Sequence, residues 1–318
     1  MSTKTAIQKP STAAVQLDAS VIFKIANPTA GNGPVYGFTD TDADVLHISK
    51  AFAFPNSAQH ENYDNFTKLK SNVRFTSDHA EAFKRAEDGV EFLGWYLTTK
   101  TAGRFLTTQL VDSLYHQTVK NSSTLLLVNN QFNTGNDLNL KAYRLNESFL
   151  KLYSNQEERF VTKNLQENKL NYDNLLVEVP VAVHSNSLAS LSAARAPAHL
   201  ATVAASANLV LNNKHESIGN AFDHLLDQID DLNHDLNNFN YFQRNQTRET
   251  TKIKQWVKQQ EAKGADTNWE KSGQFKLPYE PSRFENYVIG NSIRGTCADL
   301  YGECEAELLK ASVVEKSL

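Results

Sequence analysis

Residues 94–112 read GWYLTTKTAGRFLTTQLVD, and how they are read decides the fold. The glycine and two aromatics belong to an apolar run, VEFLGWYLT, that predicts a buried strand. A polar segment follows. The run TTQLVDSLYHQTV then spaces Leu110, Leu114 and Val119 as a helix does. Strand, polar loop and helix start, in that order, form the entrance to many active sites. Yet no histidine, cysteine or acid occurs before Asp112.

The flanking segments extend the pattern. VQLDASVIFKIANP alternates at Val15 and Leu17 and then turns helical, with Asp18 or Ser20 as N-cap. PVYGFTDTDADVLHISKAFAFP is two apolar runs about a polar turn, which predicts a β-hairpin from Val35 to Phe54. Residues 58–88 are polar and helical in tendency, with a predicted interruption near VRFTSD. STLLLVNN, LNLKAYRL and NLLVEVPVAVH predict three more strands, the last with a bulge or an edge at Pro180. Strands mixed with helices make residues 15–185 an α/β unit.

Beyond residue 185 the composition changes. An Ala/Ser-rich segment broken by Pro197 leads into the clearest periodicity in the chain. Ile218, Phe222, Leu225, Ile229, Leu232, Leu236 and Phe239 are spaced alternately by four and three, a heptad seam that must be buried somewhere. The helix is expected to run on through Ile253 and Trp256 to about Lys263. After a Gly/Pro-punctuated loop, a last helix is predicted to bury a stripe of Ile289, Ile293, Cys297, Leu300, Cys304 and Leu308. Residues 186–318 therefore read as an all-helical region that joins a helical bundle.

The bulk numbers narrow the function classes. A chain of 318 residues, 40% hydrophobic and 21% charged, can bury a core in two domains. Its net charge of −4 argues against binding nucleic acid through overall charge. Two cysteines, Cys297 and Cys304, make no secreted disulfide framework. No apolar run approaches the roughly 20 residues of a membrane span, and residues 1–14 have no signal-peptide core and read as a disordered tail. The expected compartment is the cytoplasm.

The order of elements resembles the MPN (Mpr1/Pad1 N-terminal) domain: the hairpin ending in AFAFP, the strand ending in GWY, the helix from TTQLVDS and the strand LKAYRL. Catalytic members of that family are zinc isopeptidases. Their signature is an upstream Glu, then His-x-His, seven residues, Ser, two residues and Asp. Two His and the Asp hold zinc with a position open for water, the Glu acts as base, and the Ser assists the oxyanion. Laid on this chain from GWY, the two His positions fall on Leu97 and Thr99. The Ser position falls on Thr107, the Asp on Leu110 and the Glu on Pro34. No zinc ligand remains. The resemblance thus implies a mixed sheet flanked by helices, no catalysis, no metal and no cofactor.

Non-catalytic members occur in the proteasome lid, the signalosome and eukaryotic translation initiation factor 3. GWYLTTKTAGRFLTTQLVDS, LNLKAYRL, LVEVPVAVHSNSL and LLDQIDDLNHDLNNFNYFQRNQTR are most similar to the h-subunit family of the initiation factor. This likeness covers roughly residues 15–260. It implies a scaffold that pairs with another MPN-domain subunit, pools its helices with bundle neighbours and acts on the small ribosomal subunit. A place in the lid or the signalosome is the alternative.

Two further features compete for a function. His224, Asp227, Asp231, His234 and Asp235 could supply metal ligands from one helix. However, His224, Asp231 and Asp235 lie roughly 100° from the apolar seam, which predicts a solvated acidic face. His47 and His184 lie in strand-like runs and read as structural. Arg244, Arg248, Lys252, Lys254, Lys258 and Lys263, with Trp256, could form a basic RNA-binding helix. Glu249 and Glu261 partly offset that charge, and the stretch reads as the exposed end of a long helix. It leaves rRNA or mRNA contact open within a larger particle. No Ser-His-Asp set, phosphate loop or Cys/His zinc spacing is present.

Overall fold

The computed structural model describes residues 14–26, 31–40, 43–55, 66–86, 89–99, 105–132, 139–154, 160–188, 190–191, 207–263 and 275–317. The expected N-terminal tail and most of the Ala/Ser-rich segment lie outside these residues. Among the described residues no helix is long and apolar enough to cross a membrane.

The N-terminal region is a mixed sheet with helices on both faces. Strand β1 (Ala14–Asp18) leads directly into helix α1 (Ala19–Ile25), with Asp18 at the N-cap position. The hairpin follows as β2 (Asn32–Asp40) and β3 (Val45–Ala51), close to its expected place. Helix α2 (Lys70–Ala86) crosses to β4 (Glu91–Thr99). Helix α3 (Thr108–Lys120) then returns the chain to β5 (Leu125–Asn130), which pairs parallel with β4. A parallel neighbour requires such a crossover, and α3 supplies it. The remaining elements are β6 (Leu140–Leu145), α4 (Glu147–Ser154), α5 (Thr162–Glu167), β7 (Leu176–Val179) and β8 (Val181–His184).

The strand order is β7-β6-β5-β4-β2-β3-β1-β8. Its two ends, β7 and β8, are separated only by Pro180. β7 pairs with β6 and β8 with β1, so the sheet closes on itself. Pro180 has no N–H to give to a ladder, but its carbonyl accepts from Val15 N at 2.9 Å. The expected bulge or edge at Pro180 is thus the point where one strand changes partners.

Gly94, the first residue of the opening stretch, has φ +148°, and a Cβ there would sit 1.9 Å from the Leu125 carbonyl oxygen. It lets β4 and β5 approach where the β2–β4 register shifts. This is a packing role.

Helix α2 runs unbroken through VRFTSD, against the expected interruption. Phe75, His79 and Phe83 recur at four-residue spacing and pack against Phe52, while Thr76 Oγ1 bonds back to the Asn72 carbonyl at 2.8 Å. Packing on an aromatic face outweighs the weak propensity of Thr and Ser.

Two long helices complete the chain, α6 (Ala207–Lys263) and α7 (Phe284–Ser317). α6 is about 85 Å long at 1.5 Å per residue. α7 docks back on the sheet domain. Val288 enters the same core as Leu97, Leu110, Phe149 and Leu165, with Phe284 and Tyr287 packed alongside. The phase expected for α7 was wrong. Val288, Ser292, Thr296, Leu300 and Glu303 are buried, whereas Cys297, Cys304 and Leu308 are exposed. The buried face contains polar residues, so apolar periodicity pointed to the wrong side.

Candidate functional site: a degenerate metal-binding face

The five positions implied by the motif fall on two strands and one helix start. Asn32 opposes Leu97 and Pro34 opposes Trp95, so Pro34, Leu97 and Thr99 share one face of the sheet. That face looks toward the start of α3. Leu97 is 0% and Leu110 1% exposed, and both belong to one buried cluster with Trp95, Leu106, Leu126 and Val128. Where two metal ligands would converge, two leucines fill the space. Pro34 is buried in β2, and Thr99 is buried at the end of β4. Thr107 is the N-cap of α3, its Oγ1 accepting from Leu110 N at 3.3 Å. Its hydroxyl is committed to the helix.

Thr98, between Leu97 and Thr99, faces the opposite side. Its Oγ1 and the Asn129 Nδ2 donate to the Ile25 carbonyl at 3.4 and 3.1 Å, tying the end of α1 to the sheet. Asp112, the one acid of the stretch, accepts from Tyr153 Oη and pairs with Lys68 Nζ at 3.3 Å. Burial pushes the Tyr36 and Tyr96 phenols far up, and pushes Tyr143 up to about 12 with Glu178 and Asp299 adding to the effect. These shifts lead away from the neutral range in which acid–base catalysis works.

The chain's own C-terminal helices roof this end of the sheet. Asn130, which pairs with Thr99, donates from Nδ2 to Asp299 Oδ2 on α7 at 2.7 Å. Phe132 packs with Ala221 of α6 and Leu300 of α7. Gln228 Nε2 donates to Ser292 Oγ at 3.0 Å, joining the two helices. None of these polar residues stood out in the sequence. Asn130 and Phe132 follow a strand as loop residues would, and Ser292 and Asp299 interrupt the apolar pattern of α7.

The heptad seam is split. Ile218 and Leu225 pack against the Phe132 cluster, Leu232 and Phe239 are half-buried, and the Arg283 guanidinium lies 4.4 Å from the Phe239 ring centre. The other three seam residues are exposed: Phe222 at 47%, Ile229 at 37% and Leu236 at 38%, with Leu226 beside them at 59%. A step of four residues turns the helix about +40° and a step of three about −60°. α7 covers the −60° side, where Ala221, Gln228 and Phe242 lie, and leaves the +40° side open.

The other candidates separate as well. His224, Asp227 and Asp231 line a groove beside Thr107, whereas His234 faces solvent and Asp235 is half-buried. Among the described residues no group of three or more His, Cys, Asp or Glu could hold a metal ion. His47 stacks on Phe38 at 4.9 Å, and His184 is exposed in β8. Arg244, Arg248, Lys254 and Lys258 are exposed on α6, Lys252 pairs with Glu249 at 2.7 Å, and Trp256 packs on Phe275.

Comparison with known proteins agrees with this division. The family model described as JAB1/Mov34/MPN/PAD-1 ubiquitin protease matches residues 10–122. The model described as the C-terminal region of eIF3h matches residues 133–316. The H subunit of eukaryotic translation initiation factor 3 from Botryotinia fuckeliana is 30% identical over 331 residues, covering 88% of each chain. The chain belongs to the H-subunit family of eukaryotic translation initiation factor 3. The corresponding protein of Yarrowia lipolytica is 29% identical over 338 residues, covering 90% of this chain and 93% of its own. Membership in the H-subunit family makes the long α6 and α7 a family feature, since both lie within the matched C-terminal region.

Proposed function

We propose that the chain is a non-catalytic scaffold subunit of the initiation factor 3 assembly in the cytoplasm. In this reading the MPN region, residues 15–185, pairs with another MPN-domain subunit. The helical region, residues 186–318, joins neighbouring helices, and the whole acts in initiation on the small ribosomal subunit. The observation that carries the reading is the apolar edge of Phe222, Leu226, Ile229 and Leu236. It is exposed in the single chain although the same helix buries its other side at home. An apolar row of this kind is a partner surface. The leucines at the metal positions support the absence of catalysis, since an aliphatic side chain offers no lone pair to zinc.

The test is co-purification of the tagged chain carrying Ile229→Asp and Leu236→Asp. Both side chains are exposed, so the isolated chain should fold. An interface anchor is worth about 2 kcal/mol or more, roughly thirtyfold in affinity, and unpaired charge in a buried interface adds to that loss. The variant should stay soluble and lose its initiation-factor partners, while Asn238→Ala retains them. Recovery of partners at the wild-type level would reject the edge as an assembly element. Proteasome-lid or signalosome components bound to the wild-type chain would reject the assignment to this assembly.

A further inference from the structure

Between the start of α3 and the two long helices lies a groove of about 710 Å³. Four carboxylates line it, Asp227, Asp230 and Asp231 from α6 and Glu285 from α7, with neither lysine nor arginine among the lining residues. Its base is apolar, formed by the buried Leu106 and Val288 with Ile289 beside them. Two of its lining side chains hold a fully buried oxygen with no hydrogen-bond partner: Oε1 of Gln109 on α3 and Oε1 of Gln228 on α6. The second is fixed in place, because the same amide donates to Ser292 Oγ.

Buried acceptors without donors are costly, and here two of them from different helices border one cavity. Together with the carboxylates, they select the ligand. An anion would meet four like charges. A purely apolar side chain would bury those charges unpaired. A metal ion lacks a converging ligand set among the described residues. A guanidinium on an alkyl stem matches every part. The stem lies on Leu106, Val288 and Ile289, and the planar fork has five N–H donors for amide oxygens and carboxylates.

We propose that this groove binds an arginine side chain presented by a partner protein. For the source of the arginine the proposal rests on the scaffold reading.

The groove itself is tested on the isolated full-length chain, labelled with ¹⁵N and titrated with N-acetyl-arginine amide. The citrulline analogue serves as the uncharged isostere. A probe this small should bind in the millimolar range. Shifts should cluster at Thr107–Gln109, Asp227–Asp231 and the Gln228 side-chain amide. They should be absent with the citrulline probe, and binding should weaken roughly tenfold in the Asp227→Asn, Asp231→Asn variant. No shifts at tens of millimolar, equal shifts with both probes, or undiminished binding by the variant would each overturn the site. The partner half is tested by co-purification with Asp227→Lys and Asp231→Lys, which should lower partner recovery about tenfold or more, and recovery at the wild-type level overturns it. Because the scaffold reading is tested separately through Ile229 and Leu236, failure of one is distinguishable from failure of the other.

Discussion

Leu97 and Leu110 on the sheet face, and Ile229 and Leu236 on α6, are similar side chains in opposite situations. The first pair occupies positions where a catalytic relative would hold zinc, and is sealed within a core that includes Trp95 and Val128. The second pair stands in solvent beside a helix face that is already covered. At the sheet face, aliphatic substitution finished a core. On α6 the apolar row exceeds what α7 can cover. The first site has lost its need for a ligand, and the second has kept a need for a partner.

The largest effect should come from trying to reverse that history. Restoring the motif residues with Leu97→His, Thr99→His and Leu110→Asp places polar groups in a closed core. Each buried leucine lost costs about 2–5 kcal/mol, and burying polar or ionised groups adds to that. The triple variant should fail to fold, with zinc giving no rescue in urea denaturation. The wild-type chain should show no stoichiometric zinc by elemental analysis. Zinc-dependent stabilisation of the variant would mean that the metal site is only masked, and the contrast between the two regions would collapse.

A smaller effect separates the covered side of the helical region from its open side. Leu300 is buried at the Phe132–Ala221 cluster, and Leu226 is exposed. In the isolated chain Leu300→Ala should cost about 2–5 kcal/mol, and Leu226→Ala should stay within about 0.5 kcal/mol. In the assembled complex the order should change, with Leu226→Ala weakening association. Equal effects of Leu226→Ala in both settings would show that the open edge stays open.

These contrasts show what the sequence could reveal. The hairpin, β4, β5 and α3 were legible because apolar residues alternate or recur where nothing competes. The lost ligands were legible because a motif fixes spacing, so Pro34, Leu97, Thr99 and Leu110 could be placed without coordinates. The splitting of the seam was not legible. Heptad spacing marks a stripe but not which flank a partner takes, and α7 took the side of Ala221 and Gln228. The register of α7 was misread because its buried side includes Ser292, Thr296 and Glu303. The groove was invisible for a related reason. Its walls come from residues more than a hundred positions apart, and the acids of α6 look like any solvated face until α3 is set opposite them.

The smallest predicted effect concerns Thr107, the motif position that kept a hydroxyl. If that hydroxyl is a remnant of chemistry with no present role, Thr107→Ala should leave stability unchanged. The structure gives it a local task instead: its Oγ1 accepts from Leu110 N, one of the N–H groups that a helix start leaves without a carbonyl. Loss of such a cap costs about 1 kcal/mol, in a range of roughly 0.5–2. Ser and Asn cap at least as well as Thr, so Thr107→Ser and Thr107→Asn should match the wild type. Thr107→Asp would cap equally well, but it adds a charge to a groove already lined by Asp227 and Asp231, and it should fall below Asn for that reason. Urea denaturation of the four variants gives the order Asn and Ser, then Asp, then Ala. If Ala equalled the wild type, Thr107 would have no capping role. If Asp equalled or exceeded Asn, the groove would be less acidic than its lining indicates, and the case for an arginine there would weaken with it.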